Sequence, residues 1–237
     1  MVDDVPGWLS VEAAAVQLGV SSGHVRDLTR SGQLITRKVG RSVLISADSV
    51  ARRIASEPAR GRPLAPRSAW TVLLLASGLA PPWTIPASEK VRLARFVRRP
   101  LRQWSRMLAR RAETTGVRIP APLLRRVRAQ PGVALGGIGA AVQHGAPFVQ
   151  SAEETIVLYL TRSALDALRE QRGIGWGSTA PNAALCVVDA DLPLGEVFEA
   201  GVVPVAVAAA DLLDLGDDRS SRAAAELLGR DDYPARP

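Results

Sequence analysis

Few side chains in this sequence are suited to covalent chemistry. It holds two histidines, His24 and His144, and one cysteine, Cys186. Zinc centres group Cys and His ligands at short spacing, so no Cys- or His-based metal site is expected. Asp189-Ala190-Asp191 follows the apolar run Ala183–Val188. Paired carboxylates at a strand end can hold a divalent ion for phosphoryl transfer. No Gly-Ser loop or further carboxylate accompanies this pair, so a strand-end turn is the simpler reading. Gly137-Ile138-Gly139-Ala140-Ala141-Val142 departs from the dinucleotide fingerprint at Val142, and no clear strand is expected before it. Cys186 lies inside an apolar run and reads as core. No cofactor is expected, and the chain does not read as an enzyme.

Guanidinium chemistry is far better represented. Of 30 basic residues only Lys38 and Lys90 are lysine. Arginine forks match phosphate oxygens and guanine edges; a GC-rich genome would also favour arginine codons. The charges are segregated. Residues 1–67 carry a net +4, residues 68–132 a net +11 and residues 133–237 a net −8, within an overall +7. A basic front and middle suit a polyanion, and an acidic back suits another partner or internal pairing. The opening MVDDVPGWLS is acidic and lacks an apolar stretch, so no secretory leader and a cytoplasmic location are expected. Ser68–Ser88 and Ala129–Ala152 are free of charged residues, but prolines and glycines interrupt both, so neither reads as a membrane span.

The elements that must position these groups follow from caps and periodicity. Ser10 caps a helix opening at Val11-Glu12-Ala13, with Ala14, Ala15 and Leu18 on its apolar face. Gly19 ends that helix and Val20 is a buried turn residue. Ser21 or Ser22 caps a second helix that buries Val25 and Leu28 and stops at Ser31-Gly32. Its other face carries Ser22, Gly23, His24, Arg26 and Arg30, beside Asp27. Gln33–Lys38 and Ser42–Ser46 flank Val39-Gly40-Arg41 as a hairpin. Asp48 is expected to cap a third helix, Ser49–Ala55.

Residues 56–67, SEPARGRPLAPR, form a Pro/Arg-rich linker. The expected organisation is thus a domain at 1–55, the linker, and a C-terminal domain at 68–237. The latter divides into a basic helical part, 68–132, and an acidic α/β part, 133–237. In the basic part we expect helices Ala69–Leu79, Glu89–Val97 and Leu101–Glu113, then a short basic segment, Leu123–Arg128. In the acidic part we expect strands Thr155–Thr161, Ala183–Val188 and Val202–Ala206. Helices are expected at Ala164–Gln171, capped by Ser163, and at Asp211–Leu215 and Ser220–Leu228. The fold class is mixed α/β (α+β).

The ordered frame Leu9-Ser10-Val11-Glu12-Ala13-Ala14, Leu18-Gly19-Val20-Ser21, Val25-Arg26, Gly32, Val39-Gly40-Arg41 and Ile45 resembles the winged helix-turn-helix domain of the excisionase and MerR-like family. Small residues at the start of the second helix allow close approach to the major groove. There Arg26 would fork onto a guanine edge, and Ser21, Ser22 and His24 would hydrogen-bond a base or phosphate, with Arg30 on the same face. Arg37, Lys38 and Arg41 would meet phosphates as a wing. In the basic middle, Arg95, Arg99, Arg102 and Arg106 are candidates for further phosphate contacts, alongside Arg92, Arg98, Arg110 and Arg111; a solvated face, or pairing with the acidic part, is the alternative. The tail Ala210-Asp211-Leu212-Leu213-Asp214-Leu215-Gly216-Asp217-Asp218-Arg219-Ser220 resembles abortive-infection (AbiE-type) antitoxins of actinobacteria. It reads equally as a helix ended by Gly216 and a second one capped by Asp217, Asp218 or Ser220.

These resemblances imply a sequence-specific DNA-binding transcriptional regulator. It would be the antitoxin of a toxin-antitoxin pair, repressing its own operon and counteracting a nucleotidyltransferase-like toxin. Operator DNA, a cognate toxin and a second copy of the chain are the expected partners, as a homodimer or by cooperative binding, and no membrane. The alternatives are an excisionase-like architectural DNA-binding factor and a metal-dependent enzyme acting on nucleotides or nucleic acid through Asp189 and Asp191.

Overall fold

A computed structural model describes residues 7–18, 20–40, 42–50, 62–148 and 155–230. The chain divides into two compact units, Met1–Arg60 and Gly61–Pro237. No helix among the described residues is long and apolar enough to cross a membrane.

The first unit runs β1 (Trp8–Leu9), α1 (Val11–Leu18), α2 (Ser22–Arg30), β2 (Thr36–Val39) and β3 (Ser42–Ser46). The strands form an antiparallel sheet in the order β1-β3-β2. Ser10 Oγ accepts the Ala13 N–H, and Ser21 Oγ accepts the His24 N–H, so both helices start on the serine caps that their sequence calls for. Ala14, Ala15, Leu18, Val25, Leu28, Leu34, Ile45 and Val50 make the core, with Val20 half-buried against it. The third helix differs at its start. Residues 47–50 are already helical, and the Oγ of Ser46 accepts the Ser49 N–H. Ser46 rather than Asp48 is therefore the cap. Ser49 is buried because its hydroxyl also accepts the Ile35 N–H, tying this turn to the entry of β2. Residues 51–55 of that expected helix, Gly19, Arg41 and positions 56–61 of the linker lie outside the described residues.

The second unit opens with α3 (Pro66–Ala76), α4 (Ala87–Val97), a 3-10 turn (Leu101–Gln103) and the short α5 (Trp104–Met107). Next come β4 (Glu113–Arg118), α6 (Ala121–Arg128), β5 (Val133–Leu135) and α7 (Gly137–Gln143). The chain then forms β6 (Ile156–Leu160), α8 (Arg162–Arg169), β7 (Gly175–Trp176) and β8 (Ala183–Val187). It closes with α9 (Gly195–Phe198), α10 (Val205–Leu215) and α11 (Asp218–Leu227). The five strands lie in the order β5-β6-β8-β4-β7. β6 and β8 are parallel, with α8 in the crossover between them, and the other pairs are antiparallel.

Alternation along the central strands sends side chains to two cores. Leu158, Leu160, Leu185 and Val187 pack with Val117, Val127, Leu165 and Leu168 on one face. Tyr159 and Cys186 point the other way, into a core with Trp70, Leu73, Phe198, Val207 and Leu212. There the rings of Trp70, Tyr159 and Phe198 lie 5.8–6.4 Å apart between centroids, in edge-on and tilted pairs.

Several boundaries move. Pro66 occupies the first turn of α3, so the end of the expected linker is helical. The expected helix Leu101–Glu113 is short and broken. Its Leu101, Trp104 and Leu108 are buried, but the chain then leaves the helix to carry Arg111 inward. The β-branched Thr114, Thr115 and Val117 continue as β4 in the middle of the sheet. Thr161, not Ser163, caps α8, because its Oγ accepts the Ala164 N–H. Val202 makes only an isolated bridge to Leu135, and Pro204 then starts α10 six residues earlier than the expected helix at Asp211. A strand, β5, does precede the Gly137 segment.

Arg111 is the organising charge of this unit, with its side chain 10% exposed and that of Asp211 7%. Its Nε donates to Tyr159 Oη at 2.9 Å, and one Nη donates to Asp211 Oδ1 at 2.8 Å and also to Asp214. The Tyr159 hydroxyl donates to Asp211 Oδ1 at 2.7 Å, and the Gly137 N–H donates to Asp211 Oδ2 at 2.7 Å. Burial opposes the arginine's charge, but Tyr159, Asp211 and Asp214 more than offset it and raise its pKa above the ordinary value. Burial pushes the Tyr159 hydroxyl well up. Burial also pushes the Asp211 carboxyl up, against the pull of Arg111, Tyr159 and Gly137. Every group that reaches this carboxyl is a donor, so the arrangement suits the anion.

This packing has measurable consequences. Arg111→Leu leaves two carboxylates without their cation and should destabilise the protein by about 3–5 kcal/mol, whereas Tyr159→Phe should cost about 1–3 kcal/mol. Urea unfolding midpoints check both, and a wild-type midpoint for Arg111→Leu would reject the role given to this network. At the start of α11 the Asp217 carboxylate accepts the Ser220 N–H and hydroxyl, which hold its pKa below the ordinary carboxylate value. The stabilisation from this cap is therefore present above the ordinary carboxylate pKa and disappears as pH falls through the lowered one. Asp217→Ala should be less stable than wild type in melts at neutral pH and indistinguishable from it in strong acid.

Candidate nucleic-acid interface

Helix α2 is amphipathic in a simple way. Val25 and Leu28, at 0% and 5% exposure, anchor it to the core. The turn from α1 is closed by the Val20 N–H donating to Ala15 O. Gly23, Arg26, Asp27 and Arg30 share the outward stripe at helical spacing and are not buried. The cap on Ser21 leaves the first N–H groups of α2 at an exposed end, where the helix dipole favours phosphate.

The predicted DNA-binding residues do not stand alike. Arg26 is exposed and has no ion pair among the described residues. Arg30 pairs with Asp27 at 2.6 Å, with both side chains more than 60% exposed. Such a surface pair is weak and easily exchanged for a phosphate, but Arg30 is not a free cation in this state. The Ser21 hydroxyl oxygen is engaged as the cap, which leaves its O–H as a donor, and Ser22 is half-buried. His24 is half-buried, and its Nε2 is shielded from solvent without a hydrogen-bond partner among the described residues.

On the hairpin, Arg37 and Lys38 are exposed on the edge strand β2, and Gly40 turns the chain at φ +60°. Arg37 pairs in register with Leu44 and Lys38 with Val43. Neighbours on a strand point to opposite faces, so the two side chains leave β2 on opposite sides of the hairpin. Exposed Ile35, Val39 and Val43 accompany them. Sequence reasoning gave these three no part in contacting DNA, and placed Val39 only in the hairpin turn. Apolar side chains on a wing can pack against sugars or a thymine methyl, and the β-branched types of these residues in and beside the hairpin are the signal that was available.

In the second unit Arg95, Arg99, Arg102 and Arg106 are all exposed. Arg111 is not part of that surface, because it is the buried partner of Asp211 and Asp214. The enzyme-like patterns resolve into structure. The Gly137 N–H is taken by Asp211. A side chain on Gly136 would meet the Tyr159 ring at 2.8 Å, so this glycine serves close packing. Asp189 Oδ1 accepts the Asp191 N–H in a turn. Among the described residues no three His, Cys, Asp or Glu are grouped to hold a metal. Cys186 is buried as expected, and burial pushes its thiol up to about 11.

The decisive comparison covers the first unit. Residues 8–58 match the model of a family of helix-turn-helix domains. No curated protein and no solved structure matches the chain. The helix-turn-helix domain thus coincides with the unit whose second helix presents Arg26, and the match marks this unit as a helix-turn-helix of the DNA-binding type. The match stops at residue 58 and lends nothing to the antitoxin-like tail. In that tail Asp211 and Asp214 hold Arg111, Gly216 ends α10 at φ +76°, and Asp217 caps α11.

The two kinds of cation in the helix-turn-helix domain should separate in a binding assay. Arg26→Ala should cost about 1–3 kcal/mol on a preferred duplex and relax base preference, while Lys38→Ala should weaken all duplexes alike and lower the salt slope by about one. Fluorescence anisotropy on preferred and scrambled duplexes distinguishes them; equal losses on both duplexes for Arg26→Ala would show that it does not read bases.

Proposed function

We propose that this chain is a sequence-specific regulator of transcription that reads operator DNA through α2. The observation that carries this reading is the exposed Arg26, free of ion pairs among the described residues, on a capped helix held by Val25 and Leu28 inside the segment that matches helix-turn-helix domains. Such a helix laid in the major groove places an arginine fork at base edges and its N-terminal N–H groups at phosphates. The hairpin cations Arg37 and Lys38 add affinity without sequence. A regulator of this kind reads pseudo-palindromic or repeated half-sites as a homodimer or cooperative pair.

Repression of its own operon, with a cognate nucleotidyltransferase-like toxin held by the second unit, is the finer form of this proposal. It rests on the resemblance of the tail at residues 210–220. An architectural DNA-bending factor needs little beyond the first unit and leaves the second without a task.

Selection of duplexes from a random pool by the full chain, followed by anisotropy at physiological salt, tests the regulator reading. The expected result is a selected duplex bound at least about 1,000-fold more tightly than a scrambled one. Recovery of no common sequence, with equal affinity for both duplexes, would overturn it.

A further inference from the structure

The second unit carries a positive surface that the acids among its described residues leave unneutralised. Between residues 62 and 112 the only carboxylate is Glu89, and it pairs with Arg92. Arg111 is the cation of this stretch that reaches the acids of the C-terminal part, and it is buried. The rest of the arginine series is directed outward by what the core takes. Leu93 is buried on α4, which turns Arg92 and Arg95 to solvent. Leu101, Trp104 and Leu108 are buried, which turns Arg102, Arg106 and Arg110 outward at four-residue spacing. Arg99 is exposed with its guanidinium 5.6 Å above the Phe96 ring. Arg95, Arg99, Arg102 and Arg106 have no carboxylate partner among the described residues. Arg102 and Arg106 are separated by about 6–8 Å along their helical turns.

Like charges held this close repel one another unless an anion lies across them. The chemistry of the surface selects among anions. Binding to a lipid surface requires apolar side chains beside the basic ones. Here the apolar faces of these helices are used by the core, and between residues 62 and 112 the large exposed hydrophobics are Leu79 and Val91 alone. Single-stranded RNA requires open aromatic faces for base stacking. Trp104 is buried, and Phe96 is half-buried with Arg99 over its ring. What remains is a set of exposed guanidinium forks with no open aromatic face or apolar cluster beside them, which suits the sugar-phosphate backbone of a duplex. A chain whose first unit holds duplex DNA also keeps phosphates at high local concentration around the second.

We propose that the exposed arginine row of the second unit, Arg95, Arg99, Arg102 and Arg106, binds the phosphate backbone of duplex DNA without sequence preference. This rests on the helix-turn-helix reading and extends duplex binding to a second surface of the chain. The row adds affinity and salt dependence, and α2 keeps the discrimination between sequences.

The test is anisotropy of the full chain on selected and scrambled duplexes over a range of salt. The variant carries Arg95→Gln, Arg99→Gln, Arg102→Gln and Arg106→Gln, and a companion carries Lys at the same four positions. Because all four side chains are exposed, both variants should keep the wild-type melting curve. The Gln variant should lower the slope of log K against log salt by about 0.9 for each phosphate that it no longer neutralises, so by about 2–4. Its affinity should fall by the same factor on both duplexes, and the Lys companion should recover most of the slope. An unchanged slope overturns the proposal, as does a weakening confined to the selected duplex. Abolished binding to single-stranded RNA or to anionic vesicles with duplex binding intact also overturns it and assigns the row to that ligand. If wild type shows no sequence preference while the slope still falls in the Gln variant, the helix-turn-helix reading fails and this one stands. If preference persists with no change in slope, the reverse holds.

Discussion

The second unit depends on one buried arginine. Arg111 reaches Tyr159 on β6 and Asp211 and Asp214 on α10, and Asp211 in turn receives the first N–H of α7. A single guanidinium thus fixes the sheet, two helices and the end of the basic segment relative to one another. A buried cation is tolerated only with its anions and hydrogen-bond partners in place, so the network permits one arrangement and penalises others. It also explains why Gly136 stands where it does: a side chain there would collide with the Tyr159 ring and crowd Asp211.

The same constraint divides the arginines into two kinds. One is withdrawn from solvent and matched to the acidic C-terminal part. Others, among them Arg95, Arg99, Arg102 and Arg106, are exposed on or beside helices whose apolar sides are committed to the core. The segregation of charge along the chain therefore has two consequences. A small part of it is internal pairing, and the larger part is a positive surface on the second unit. In the first unit a similar separation holds on one helix: Val25 and Leu28 are taken by the core, Arg30 is partnered by Asp27, and Arg26 is left open.

Many local signals were legible where a short-range bond decides the structure, although Thr161 took the cap expected of Ser163. The cap on Ser10, the turn at Gly216 and the strands near 156–160 and 183–187 depend on neighbours a few residues away, or on a short β-prone apolar run. The frame of the helix-turn-helix was readable for the same reason, since its serine cap, glycine turn and apolar spacing are all local. Long-range choices were not legible. Nothing near residue 111 distinguishes that arginine from Arg110, and the periodicity of Leu101, Trp104 and Leu108 extends a helix that the structure abandons to bring Arg111 inward. Val133–Leu135 is too short to announce a strand without its partner β6, and Val202 bridges to it without a strand of its own. Ser46 displaced Asp48 as a cap because Ser49 also had to meet the Ile35 N–H from another element.

Composition, charge segregation and local spacing were enough by themselves to read an arginine-rich, two-part chain whose opening segment resembles a helix-turn-helix. These properties depend on residue type and on neighbours within a turn or two. Which arginine is buried, which serine caps, and which way His24 Nε2 faces were settled only by the tertiary structure. Each depends on the burial of one group by residues tens of positions away, or on competition between two bonds for one atom, and neither leaves a trace in local sequence.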